Sequence, residues 1–142
     1  MSAMITLMED FQKFFMHYQN VWNSCNALEM NAFMSRDIAI RWAGPEASIS
    51  DWGYEEAKDG WVEAYQQYEG QNPKWHFKDL HITPASENEV IATFCVTFEI
   101  NGQLVDAAKL FVQRFRKEQN DEWTLMREYC EHLRSECIIS RV

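Results

Sequence analysis

The chain has 142 residues, 46% of them hydrophobic and 25% charged, with five Gly and three Pro; this excludes a disordered or fibrous protein and fits one globular domain over 1–142. Its 13 Lys and Arg against 22 Asp and Glu leave a net charge of −9, which repels nucleic-acid phosphates and anionic membranes, so neither is an expected partner. Six Trp, five Tyr and nine Phe are more aromatic mass than the core of such a chain needs.

Leu7, Phe11, Phe14, Phe15, Tyr18, Val21 and Trp22 recur at steps of three and four, which predicts a helix from about Thr6 to Asn23 with a strongly aromatic face. Asn26 followed by Glu29 is a capping-box-like start for a short helix carrying Leu28, Ala32 and Phe33, ended by Ser35, Arg36 and Asp37. Ile38, Ile40 and Trp42 alternate with Ala39 and Arg41 as in a strand, until Gly44-Pro45 interrupts them. A third helix follows Gly53, with Glu55 and Glu56 in its first turn, an apolar stripe that includes Trp61 and Tyr65, and a stop at Gly70, Asn72 and Pro73.

Beyond Pro73 the period becomes two. Strands are predicted over Trp75–Thr83, Val90–Ile100, Leu104–Phe115 and Trp123 to about Cys130, and Asn101-Gly102 is a strong signal for an antiparallel hairpin. Three helices, one strand and then a meander give an α+β fold, with the helices packed in a curved, mostly antiparallel sheet.

Met1 to Asp10 lacks the basic start and apolar run of a secretory signal, and no stretch supplies the ~18 uncharged apolar residues of a membrane span. Cys25, Cys95, Cys130 and Cys137 form no CxxC pair, so reduced thiols in the cytoplasm are expected. Cys130, His132 and Cys137 lack the paired spacing and fourth ligand of a zinc site, and no metal is expected. Gly-rich phosphate loops, nucleophile elbows and HExxH are missing too, so no cofactor is expected.

Three stretches follow the aromatic first helix: Asp37-Ile-Ala-Ile-Arg-Trp42 with Gly44-Pro45, then Trp52-Gly-Tyr-Glu-Glu-Ala-Lys-Asp-Gly-Trp61, then Glu122-Trp-Thr-Leu-Met126 at the end of the sheet. In that order, over about Met8 to His132, they resemble the nuclear-transport-factor-2-like superfamily, also called SnoaL-like or ketosteroid-isomerase-like. The resemblance implies a cone-shaped α+β roll of the cystatin-like kind, an apolar pocket, and a homodimer through the outer sheet face. It does not imply one chemistry, because this scaffold hosts isomerases, dehydratases, cyclases, epoxide hydrolases and non-catalytic oligomerisation domains. Ketosteroid isomerase uses a carboxylate base beside an oxyanion hole of a Tyr and a protonated Asp. Motif by motif, Tyr18 falls at that Tyr, Trp42 or Arg41 at the base, and Phe111 at the Asp, so two of the three groups are replaced.

Strand parity supplies other candidates. If Phe111 faces inward, Lys109 and Gln113 share its face, and aligning the last strand in the same way turns Met126, Glu128 and Cys130 inward. Lys109 and Glu128 could then pair in a low-dielectric pocket and carry general acid–base catalysis. Arg41 points away from such a pocket if Trp42 points in, although a slip of one residue would make it an anchor for an anion. His76 and His81, an odd number of residues apart, are expected on opposite faces. The expected function is therefore binding of a small apolar or aromatic molecule by Tyr18, Trp22, Arg41, Trp42, Trp61, Phe111 and Met126. The alternatives are an isomerase, dehydratase or cyclase that uses Glu128 and Lys109 without a cofactor, or a dimerisation module.

Overall fold

The computed structural model of the chain describes residues 3–133, so Cys137 lies outside the described residues. Helix α1 (Ala3–Asn23) buries Leu7, Phe11, Phe15, Tyr18, Val21 and Trp22. It begins before the expected Thr6, where the exposed Met4 and Ile5 leave no periodic trace. Helix α2 (Ala27–Ala32) is capped as expected: Asn26 Oδ1 accepts the Glu29 N–H at 3.2 Å while Asn26 Nδ2 donates to Glu29 Oε1 at 2.9 Å.

Strand β1 (Met34–Ala43) starts earlier than expected. Ser35, Arg36 and Asp37 do not lie between helix and strand but inside β1, because Met34 pairs with Leu125 and a register shift before Ala39 absorbs the irregular stretch. A 3₁₀ turn over Pro45–Ala47 leads to β2 (Ile49–Trp52), an antiparallel partner of β1 absent from the sequence reading. Helix α3 (Tyr54–Gln67) follows, with Glu56 accepting the Gly53 N–H at 3.1 Å.

The second half is the expected meander, with longer strands: β3 (Lys74–Ser86), β4 (Glu89–Ile100), β5 (Gln103–Lys117) and β6 (Trp123–Leu133). Asn101 and Gly102 both take positive φ, 51° and 81°, as a two-residue hairpin turn between right-twisted strands requires. The sheet runs β2-β1-β6-β5-β4-β3, antiparallel throughout except for the parallel pair β1–β6, and is curled without closing. Pro84 sits on edge strand β3, where its missing N–H leaves no gap in the ladder interior.

Helix α1 lies against the inner face of this sheet. Phe11 meets Phe115 and Trp123 at 5.4 and 5.1 Å between ring centroids, and Trp22 meets Phe111 at 5.3 Å. Polar ties fix the helix at both ends. Asp10 accepts from Trp123 Nε1 at 3.0 Å and pairs with Lys117 at 2.8 Å, and the Lys117 hydrogen bond holds its carboxyl below the usual carboxylate range. Asn23 takes both backbone groups of Trp75, and Tyr65 of α3 donates to the Trp22 carbonyl at 2.7 Å. Among the described residues no helix is long and apolar enough to cross a membrane.

Two bulges reverse parities inferred from spacing. On β3 the register jumps between Asp79 and His81, so His76 and His81, opposite Thr97 and Thr93, share the outer face instead of lying on opposite ones. On β6 Arg114 pairs with Arg127 but Phe115 pairs with Leu125, which makes Met126 the extra residue.

Candidate functional site

The inner face of β5 and β6 reads as three rungs. Gln113 stands opposite Glu128, Phe111 opposite Cys130, and Lys109 opposite His132. Since alternate residues of a strand point the same way, all six side chains face α1 and α3, and an apolar rung separates two polar ones. Above them lies a cavity of about 230 Å³. Trp22 of α1, Ala57, Gly60, Trp61 and Ala64 of α3, Trp42 of β1 and Trp52 of β2 form much of its wall, with Trp75, Val96 and Phe98 at the far side. Among the described residues that line it, only Lys109 and Glu128 carry charged side-chain types.

The aromatic wall is packed ring against ring. Trp42 and Trp52 stack nearly parallel, with centroids 5.3 Å apart and planes at 8°, while Trp61 meets Trp22 edge-on at 5.0 Å. Gly60 sits where α3 passes this stack: a Cβ there would stand 3.3 Å from Trp52 Cζ3. A glycine inside a helix is destabilising by roughly 0.5–1 kcal/mol relative to alanine, and here it makes room for an indole.

Glu128 is the chemically distinctive group. Burial raises the pKa of its carboxyl to about 7, against the opposing effects of a hydrogen bond from Gln113 and the charge of Lys109. Gln113 Nε2 donates to Glu128 Oε1 at 2.5 Å, and Gln113, wholly buried, leaves its Oε1 without a partner among the described residues. A carboxyl that titrates near neutrality inside an apolar wall can both give and take a proton. Lys109 lies at the other polar rung with Nζ 5.0 Å from the Trp42 ring centroid. Burial lowers its pKa, partly offset by Cys130 and Glu128. No carboxylate comes within 4.0 Å of Nζ among the described residues, so the expected direct Lys109–Glu128 ion pair is not formed. Burial, followed by Lys109, also lowers the pKa of His132, whose ring meets Trp42 at 5.6 Å.

The structure therefore brings Trp22, Trp42, Trp61, Phe111, Lys109 and Glu128 to one cavity and leaves three other candidates out. Tyr18 is buried among Phe14, Phe15, Phe33 and Phe115 rather than at the cavity; burial and the nearby Glu128 charge raise its pKa well above the usual range, and Gln113 lowers it. Arg41 is on the outer face, bonded through Nε and Nη2 to both carboxylate oxygens of Asp51 at 2.8 and 2.9 Å, because β1 keeps strict alternation after Ala39 and Trp42 takes the inner side. Met126 is turned away by the β6 bulge, and Leu125 occupies the wall in its place. The sequence reading missed Trp52, whose short strand escaped notice, and Gln113 as a partner of Glu128, although its inward parity was legible.

No family model matches the chain, and no curated protein matches it. Its structural neighbours are many. Aln2 from a Streptomyces species aligns over 96% of both chains at 13% identity with a TM-score of 0.72. An NTF2-like protein with a cystatin-like fold from Novosphingobium aromaticivorans aligns over 91% of this chain and 83% of its own at 11% identity, TM-score 0.68. A ketosteroid isomerase-like protein from Erwinia carotovora atroseptica aligns over 82% of this chain and 88% of its own at 16% identity, TM-score 0.55. At such identities the likeness shows the fold alone, a cystatin-like α+β fold shared with these NTF2-like and ketosteroid isomerase-like structures.

Proposed function

We propose that the cavity binds a small, flat, largely apolar molecule and that Glu128 moves a proton on it, as an isomerase or dehydratase requires. The observation that carries this reading is the Glu128 carboxyl, placed in an aromatic wall, hydrogen-bonded by Gln113 and with its pKa raised to about 7. A base of this strength at neutral pH meets the usual matching of catalytic pKa to operating pH. The aromatic lining supplies affinity by desolvating ligand surface, with few polar groups to fix its orientation. Similarity in fold to a ketosteroid isomerase-like protein is compatible with such chemistry without specifying it.

The test is proton exchange at carbon. 1-Tetralone, a flat ketone with acidic C–H bonds beside its carbonyl, is incubated with the protein in deuterium oxide and followed by NMR. Deuterium uptake above the buffer rate, lost in Glu128→Gln by about a hundredfold, is the expected result. Unchanged uptake in that variant removes Glu128 from the chemistry.

A second reading, binding without turnover, is favoured by the flat Trp42–Trp52 stack and by the scarcity of charged groups in the wall among the described residues. Ligand-induced quenching of Trp fluorescence with no exchange identifies it. For assembly, we propose a homodimer through the outer sheet face, where Leu110 and Val112 of β5 stand beside Cys95 and Thr93 of β4.

A further inference from the structure

We propose that Lys109 is a nucleophilic amine that captures a flat aldehyde or ketone in the cavity as an imine. This rests on the reading of the cavity as a small-molecule site and adds to it the class of ligand and the bond that holds it. Three features of geometry converge. The amine lies over the Trp42 ring in a largely apolar wall, among the described residues it has no carboxylate within 4.0 Å to hold it as a salt bridge, and Glu128 stands two rungs away across the Phe111–Cys130 pair. At about 6.6 Å per rung, side chains as long as Lys and Glu reach over that pair toward one ligand from opposite sides.

The Trp42 face favours a cation, but desolvation in the apolar wall penalises the ammonium ion more, and burial lowers the Lys109 pKa, which makes the free amine accessible. The Nζ lone pair adds to the carbonyl carbon, the C=O π pair moves to oxygen, and a proton passes from nitrogen to that oxygen, giving a carbinolamine. Glu128 in its acid form protonates the hydroxyl, which leaves as water while the nitrogen lone pair forms C=N. The iminium then returns a proton to the Glu128 carboxylate. One carbonyl and one amine give one imine and one water, with no change of oxidation state. The iminium is also a stronger electron sink than the carbonyl it replaces, so a ligand with an adjacent C–H bond presents Glu128 with a more acidic proton.

The experiment uses the full chain with 2-naphthaldehyde, which has no such C–H bond, and sodium cyanoborohydride as trapping reductant at pH 7. Intact mass and peptide mapping are expected to show one adduct on Lys109, formed about tenfold faster than on any other lysine. Lys109→Arg, which keeps the cation but cannot form the imine, loses it, and Glu128→Gln slows it. Adducts spread evenly over the exposed lysines in the wild-type protein overturn the proposal without recourse to any variant. Deuterium uptake by 1-tetralone with no trapping at Lys109 overturns it too, while leaving the proton-transfer role of Glu128 standing. Trapping at Lys109 without uptake upholds the capture and removes only that role.

Discussion

Gln113 and Glu128 face each other across β5 and β6, joined by one hydrogen bond in which the amide donates and the carboxylate accepts. The pair lies under the aromatic cavity, where an ionised carboxylate loses most of its hydration and is compensated by this donor and by the Lys109 charge. The consequence for stability has a definite sign. A folded protein whose carboxyl titrates at about 7 rather than 4.5 holds its proton more tightly than the unfolded chain. The resulting stabilisation is complete below the unfolded value and is lost as pH rises through about 7. At about 1.4 kcal/mol for each tenfold change in proton affinity, it amounts to roughly 3 kcal/mol. Glu128→Gln, neutral at every pH, is thus expected to match the wild type near pH 4 and exceed it by roughly that amount at pH 8.5, as read by urea denaturation. A wild-type minus variant difference that does not change over this range contradicts it.

The same ionisation sets a pH profile for proton transfer. If Glu128 acts as the base, exchange rises with pH and levels off above about 7. Rates of 1-tetralone exchange between pH 5 and 9 check this, and a flat profile argues against a carboxylate of this strength.

Trp61 is half-buried and meets Trp22 and Tyr65 at 5.0 and 5.5 Å, yet it also lines the cavity. Trp61→Ala is therefore expected to weaken binding of naphthalene-sized ligands by about 1–3 kcal/mol while lowering stability by less than the roughly 3–5 kcal/mol of a wholly buried indole. Titration calorimetry and thermal melting, measured together, separate the two effects.

The residues behind these predictions were unequally legible in the sequence. Phe111, Lys109 and Gln113 could be placed on one face from the unbroken alternation of β5, and the Asn101-Gly102 turn set the β4–β5 hairpin around Phe94 and Phe111. Aligning the last strand in the same way placed Glu128 inward correctly but Met126 wrongly, because a bulge inserts one residue without altering local hydrophobicity. The outer-face His76 and His81 were misjudged for the same reason. Strand β2 is four residues long, too short for a period to emerge, so the Trp42–Trp52 stack stayed hidden. Tyr18 was assigned to the pocket by its match to a family tyrosine, whereas its helical periodicity reports which face is buried and not whether that face meets side chains or space.

Assembly is open to a direct measurement. Light scattering at micromolar concentration is expected to give twice the chain mass of 16.8 kDa, and Val112→Arg, which puts a charge at the centre of the outer sheet face, is expected to halve it. A wild-type monomer rejects the proposed dimer.

Gln113 itself can be tested as the group that tunes Glu128. Its Nε2 favours the ionised form of Glu128, while its buried Oε1 has no partner among the described residues and gains one if the amide turns over to accept from the protonated acid. Replacing the amide by an apolar side chain of similar length removes both the donor that the carboxylate needs and the orphan acceptor. Hydrogen bonds to charged groups are worth about 1.5–3 kcal/mol, so Gln113→Met is expected to raise the Glu128 pKa by about one to two units. The exchange profile then shifts to higher pH by that amount, and its plateau keeps the wild-type height if Gln113 acts only by positioning and tuning the carboxyl. Stability near pH 5, where Glu128 is protonated in both proteins, should change little, since a buried unsatisfied carbonyl is lost along with one hydrogen bond. A profile that falls in height without moving along the pH axis assigns Gln113 to the ligand instead of to Glu128.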